Sequence, residues 1–326
     1  MLKLVSCALA ACTVICAALA FMALPSVTRA QVNKEPTFDR FGDSLPPNAL
    51  VRLGTVRFRE ATISHVKFSP DGTMLATCGH RNVVSLWDAN TGRLLREVGK
   101  GDVPIIAASF TPDGKSLVSA RYDGKIQIHN PRTGEHVRSF QAAHTNSLAI
   151  SSDGKLLVTK AGQKQFKVWN VETVDAVVSR DSAAMVDQLE FSPDGKVLCI
   201  WNTFAVEFWD TEQWQLLKKV PGYNRSGKYT RDPNRVLFVS NFNVMTLWDI
   251  KADKAVHQLK QDHFYWIDVH PTEAIAVSGS PYGFFAVWDL KSGELIKKCQ
   301  TNMSYVWEPS FSGDGKRIAV CSSGGV

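Results

Sequence analysis

One heptapeptide carries the outline of a reactive site. Gly222-Tyr-Asn-Arg-Ser-Gly227-Lys228 has the spacing of a phosphate-cradling loop up to its lysine. Tyr229 stands where Ser or Thr would hold magnesium, and no helix start follows to meet a phosphate. The segment therefore reads as the connection between two neighbouring β units. Around it Lys218, Lys219, Arg225, Lys228, Arg231 and Arg235 form a basic stretch that could dock an anionic partner. Asp232 interrupts it and no aromatic residues alternate with it, so a solvated edge is the plainer reading. No HExxH, GxSxG, paired CxxC or EF-hand loop occurs. His80, Asp102, Asp123, His144, Asp181 and His263 are scattered singly, so no spacing pairs a base with a nucleophile or builds a metal shell. The expectation is a non-enzyme without catalytic residues, metal or cofactor, the alternative being an enzyme or cofactor protein with its groups at a central channel.

Composition sets the frame for these residues. The chain has 326 residues, 44% hydrophobic and 21% charged, enough to bury a sizeable core. Its net charge of +6 falls to +4 without residues 1–30, which hold Lys3 and Arg29 and no acid. So mild and dispersed a charge excludes nucleic acid as the expected partner. Leu4 to Leu24 run 21 positions without a charge, and Thr28 and Ala30 offer a small-x-small cleavage site ahead of Gln31. Residues 1–30 thus read as a signal peptide or, uncut, a membrane anchor, with membrane contact only through this leader. Leu9-Ala10-Ala11-Cys12 also has the look of a lipoprotein box, though few residues precede it. The expected location is outside the cytoplasm: periplasmic, extracellular or tethered facing outward. Cys7, Cys12 and Cys16 lie in the leader; of the remaining four, Cys78, Cys199 and Cys321 fall in apolar runs, and buried free thiols are expected rather than disulfides.

What must position any site is a repeat. FSPDG at Phe68 to Gly72 returns as FTPDG from Phe110, ISSDG from Ile150, FSPDG from Phe191 and FSGDG from Phe311, with degraded copies at Tyr229 and Val269. Successive copies stand 42, 40, 41, 38, 40 and 42 residues apart, which gives seven units. A tryptophan follows 18 or 19 residues after the first position in five units, at Trp87, Trp169, Trp209, Trp248 and Trp288, while unit two has Ile128-His129-Asn130 there. Each unit reads as four short strands: one ending at the Phe, a Pro-Asp-Gly corner, a second strand rich in aliphatic residues, a third carrying the Trp, then a polar turn into a fourth. One such sheet cannot cover both its faces, so neighbours stack and the ring closes on itself, with the five tryptophans as structural wedges between sheets. The fold class is all-β, a seven-bladed β-propeller.

The FSPDG corner, the WD dipeptide and the forty-residue period resemble the WD-repeat family over Val51 to Val326. The Gly-His pair that usually opens such a repeat is missing; only Ala143-His144 and Asp262-His263 stand near its place. The stretch from Asp39 to Glu60 also resembles the entry segment of large exported bacterial WD-repeat proteins. The resemblance implies a non-catalytic scaffold that binds a protein or peptide. It implies as well that the loops before strand one and between strands two and three form the binding face. Mapped here, those loops carry His80, Arg81, Arg121, Tyr122, Lys160, Phe264, Tyr265, Trp266, Tyr282, Tyr305 and Trp307, with Tyr265, Tyr282 and Tyr305 the foremost contact candidates. Trp266 and Trp307 read equally well as core.

The expected organisation is a leader (1–30), a proline-containing linker (31–48) and a propeller (49–326). Its units are 61–100, 101–141, 142–180, 181–220, 221–260, 261–300 and 301–326. The last is completed by a strand over Val51 to Phe58, which the resemblance places outermost in the seventh blade. The third strand of that blade would carry its Trp near position 330, past Val326, so a shortened relative of a longer protein is expected. A truncated remnant without function is the remaining alternative.

Overall fold

A computed structural model describes residues 3–6 and 63–321 except 223, 241–243, 261–262, 264–265 and 302–304. The linker, the strand expected at Val51 to Phe58 and most of the leader lie outside the described residues.

Every described element is a strand, and the repeat is realised as antiparallel sheets of four consecutive strands. Unit one shows the plan: Ile63–Phe68, Met74–Gly79, Val84–Asp88 and Leu94–Val98 pair in that order. Burial grades outward along it. The second strand is buried at every residue and the fourth is largely exposed, because only the inner strands are covered by a sheet on each side. Units one and two touch edge to edge through a single pairing, Gly79 with Ile105, which joins them into one eight-stranded sheet. The innermost strands are Ile63–Phe68, Ile105–Phe110, Leu148–Ile150, Val186–Phe191, Asn224–Tyr229, Trp266–Val269 and Trp307–Phe311. Each lies beside the next, and Trp307–Phe311 lies beside Ile63–Phe68. In the last unit Trp307–Phe311 and Arg317–Cys321 pair antiparallel, and Lys3–Ser6 runs parallel to Arg317–Cys321 at the edge. This arrangement is consistent with a WD-type propeller.

The corner after strand one explains why its sequence recurs. Ser69, Thr111, Ser151, Ser192 and Ser312 each donate their hydroxyl to the Asp two residues on, at 2.5 to 2.7 Å. The same hydroxyl accepts the backbone N–H five residues on, opening strand two. The Gly that ends the corner, Gly72 in unit one, has φ +69°, a conformation that only Gly adopts without strain. In unit six His270 replaces the serine. Its Nδ1 accepts from the Thr272 and Glu273 N–H groups, which leaves Nε2 protonated to donate to the Gly315 carbonyl at 3.1 Å.

The wedge tryptophans are fixed by a second recurring bond. Trp87, Trp169 and Trp288 donate Nε1–H to Thr77, Thr159 and Ser278, ten residues earlier on strand two, at 2.8 to 3.0 Å. Trp209 finds Cys199 at that position and donates to Glu207 instead, at 3.1 Å. Trp248 finds Phe238, and its Nε1 is buried without a hydrogen-bond partner. Each indole hides roughly 200 Å² of surface, on the order of 5 kcal/mol of transfer free energy.

The phosphate-loop look-alike is not a loop. Asn224–Tyr229 is the innermost strand of unit five, and the reason for Gly227 is packing. The Trp201 indole lies so close that a β-carbon at residue 227 would sit 1.8 Å from its Nε1. Four of the six basic residues around it have acidic partners: Lys218 with Asp253, Lys219 with Glu207, Lys228 with Glu190 and Arg235 with Asp232. Cys78, Cys199 and Cys321 are buried, Cys299 is half-buried, and none of the four is in a disulfide among the described residues.

Candidate partner-binding face and central cavity

Antiparallel order sorts the loops into two ends. The corner after strand one and the turn after strand three lie at one end; the turn after strand two and the passage to the next unit lie at the other. The second end carries the expected binding residues. His80 and Arg81 are exposed there, and Arg81 is held by the Glu97 carboxylate at 2.9 Å. Tyr122 is 60% exposed with its ring edge-on to His144 at 4.6 Å, and Tyr282 is 57% exposed against His263 at 5.2 Å. Tyr305 is 45% exposed and 6.1 Å from Trp307. Tyr265 and Phe264 lie outside the described residues.

Four expected residues stand elsewhere or only partly on this face. Arg121 is buried at the end of strand two, and Lys160 is half-buried with Nζ on Asn146 Oδ1 at 3.2 Å. Trp266 and Trp307 belong to innermost strands, where their rings meet at 4.3 Å and line the central cavity.

Two exposed apolar residues at the same end escaped the sequence reading: Phe204, 72% exposed, and Met185, 44% exposed. Phe204 sits in the tight turn between Val197–Asn202 and Ala205–Asp210, where Asn202 Oδ1 accepts the N–H groups of residues 204 and 205. The signal was available: a large aromatic residue in a turn breaks the in-out alternation on either side of it.

The innermost strands enclose a cavity of about 600 Å³. Ser64, Ser109, Ser147 and Ser226 contribute small polar groups, and two ion pairs supply the charge: Lys67 with Glu308 at 2.6 Å and Lys228 with Glu190 at 2.9 Å. These four side chains keep 19 to 26% of their surface accessible because they face the cavity. Burial pushes the Glu190 carboxyl above the usual range against the pull of Lys228. Burial also opposes ionisation of Glu308 and Lys228, but their partners win: Lys67 and His65 hold Glu308 below the usual value, and Glu190 and Asp268 hold Lys228 above it. Burial lowers the pKa of His65.

Ser64 Oγ lies 2.9 Å from His65 Nδ1, and Glu308 Oε2 lies 3.9 Å from His65 Nε2. The residue types are those of a hydrolytic triad, but the carboxylate is too far to orient the imidazole and is taken by Lys67. Among the described residues no three His, Cys, Asp or Glu groups stand together as a metal site. Exposed aromatic rings are what the loop end of the sheets presents to solvent.

The WD40 family (WD domain, G-beta repeat) matches residues 52–88 and 93–130. A WD repeat-containing protein WDS homolog of Arabidopsis thaliana is 26% identical over 230 residues, covering 66% of this chain and 44% of that protein. Autophagy-related protein 16 of the same plant is 22% identical over 321 residues, 93% of this chain and 62% of its own length. Serine-threonine kinase receptor-associated protein of Gallus gallus is 21% identical over 257 residues, 76% of this chain and 73% of its own. The chain spans about half the length of the first two relatives, 44% and 62%. Together with the sheet plan, these likenesses support the WD-repeat family for this chain.

Proposed function

We propose that this chain is a seven-bladed WD propeller that is carried out of the cytoplasm by its leader and holds a protein or peptide on the Tyr122, Tyr282 and Tyr305 face. WD-repeat proteins generally serve as interaction scaffolds, and the cyclic adjacency of the innermost strands supports seven blades. The observation that carries the binding reading is the exposure of Tyr122, Tyr282, Tyr305, Phe204 and Met185 at one end of the sheets. Large aromatic side chains left in water at one end are the residue types that anchor protein interfaces.

The test is cross-linked capture of partners in the native compartment by the wild-type chain and by a variant with Tyr122→Ala, Tyr282→Ala and Tyr305→Ala. The expected result is loss of the captured protein with an unchanged melting temperature. A triple variant that keeps the same partners removes this face from consideration. Amino-terminal sequencing of the exported chain tests the leader, with Gln31 as the expected first residue; recovery of the full-length chain in the cytoplasm would overturn the export reading.

A further inference from the structure

We propose that the boundary between units seven and one is an electrostatic latch, formed by Glu308 against Lys67 and His65 and by Arg317 across the outer turns, at which the ring opens. The proposal rests on the ring closure described under the proposed function.

Unit seven is held unequally on its two sides. Toward unit six it presents Val306, Phe311, Ile318 and Val320, which pack with Val277, Phe285 and Val287. Toward unit one it presents Ala319 and Cys321, small groups set among Ile63, Val66, Phe68, Leu75 and Trp87, with half-buried Trp307 at the margin. Unit seven's own buried apolar groups are thus smaller on the side facing unit one, Ala319 and Cys321, than on the side facing unit six.

Polar bonds stand in that place. At the cavity, Lys67 Nζ meets Glu308 Oε1 at 2.6 Å, and His65 Nε2 lies 3.9 Å from Oε2. At the opposite end Arg317 donates to the carbonyls of Ala89 and Gly72 and to Asn90 Oδ1, with its guanidinium over the Phe68 ring at 5.3 Å. The Glu308 carboxylate and its partners keep 19 to 30% of their side-chain surface, so dissolved ions reach them. The charged groups facing Glu308 are Lys67 on the strand beside it and Lys228 across the cavity, with Glu190 and Asp268 behind Lys228; the titratable His65 imidazole stands on the strand of Lys67. Screening therefore weakens this boundary while leaving the apolar contact with unit six in place.

Acid acts in the same direction. His65 is held below its ordinary value by burial, so its contribution is present above about pH 6.5 and declines as pH falls. Glu308 is held below its ordinary value by Lys67 and His65, so its contribution is lost as pH falls below about 4.5.

Hydrogen exchange of the full chain, read by mass spectrometry at fixed pH, tests the latch. Raising salt to about 1 M, where screening acts within about 3 Å, is expected to speed exchange in Ile63–Phe68 and Trp307–Phe311 but not in Ile105–Phe110 or Leu148–Ile150. Glu308→Gln is expected to raise exchange in the first pair about tenfold at low salt and to remove its salt dependence. Uniform acceleration of all four strands, or a Glu308→Gln chain that exchanges like wild type, overturns the proposal. Should that variant not fold, the wild-type salt series decides by itself. Carbodiimide coupling of Lys67 to Glu308 separates the two readings: the amide forms if units seven and one are neighbours, whether or not the latch opens, and its absence refutes the ring.

Discussion

His129 stands ten residues after Ser119, as Trp87 stands ten after Thr77, yet the bond that joins the second pair is missing from the first. The imidazole occupies the wedge position of unit two, 4% exposed, with Nδ1 buried and unpartnered; Ser119 Oγ is buried and unpartnered as well. Burial and the neighbouring His136 hold the ring near pKa 4, so it is neutral at physiological pH. Two polar atoms are thereby desolvated without compensation.

His129→Trp is expected to restore the wedge and its bond to Ser119, raising stability by about 1 kcal/mol and the melting temperature by about 2–4 °C. Ser119→Ala should change little in the wild-type chain and cancel most of the gain in the Trp variant. A cycle of the four proteins by calorimetry measures this coupling, and a zero coupling energy refutes the bond.

Gly227→Ala places a methyl group inside the Trp201 indole and is expected to cost about 2–4 kcal/mol in chemical denaturation. A smaller, ringless partner, in Trp201→Val with Gly227→Ala, should recover part of that loss relative to the two single changes. The wild-type melting temperature is expected to stay constant with added nucleotide and magnesium, since a strand and not a phosphate loop spans residues 224–229.

The five corner aspartates predict how the protein responds to acid. Burial opposes ionisation of Asp71, but the Ser69 hydroxyl, the Thr73 N–H and hydroxyl, and Arg132 outweigh it and hold its pKa at about 2. Asp113, Asp153, Asp194 and Asp314 are lowered by the same kind of hydroxyl and N–H bonds. A depressed folded-state value means stability that is present above the unfolded pKa and lost as pH falls through the folded one. The melting temperature should therefore decline from about pH 4 down to pH 2 through these groups. Replacing all five by Asn should flatten that decline, and an unchanged slope would show that other carboxylates govern it.

Thiol labelling should follow burial. In the folded chain Cys78, Cys199 and Cys321 are expected to resist an alkylating reagent, and Cys299 to react slowly. Desolvation raises the Cys199 pKa far above its ordinary value, so it should remain unlabelled even at mildly alkaline pH. Mass mapping of labelled peptides checks this; fast labelling at Cys199 would show that units four and five separate readily.

The repeat was legible because its corner needs particular atoms. A hydroxyl, a carboxylate two residues on and a glycine beyond are required together, so Ser69, Asp71 and Gly72 recur as a set. Where other atoms do the same work the pattern fades: His270 replaces the serine, and the unit reads as degraded although its turn is fully bonded. Contacts between units were not legible, because they join residues forty positions apart with no local mark. The Trp201 indole over Gly227, Glu190 accepting the Tyr229 N–H and Asp268 accepting the Phe311 N–H are of this kind. The exposed face is legible in part: loop position marks Tyr122, Tyr282 and Tyr305, whereas Phe204 and Met185 lie outside the positions that the repeat points to, and Arg121, at a position it does point to, is buried.

The Gly79 to Ile105 pairing has a mechanical consequence. Sheets that meet only through side chains can part by sliding, but a backbone pairing, even of one residue with one, must be broken as well. Separating unit one from unit two therefore costs a main-chain contact in addition to side-chain packing.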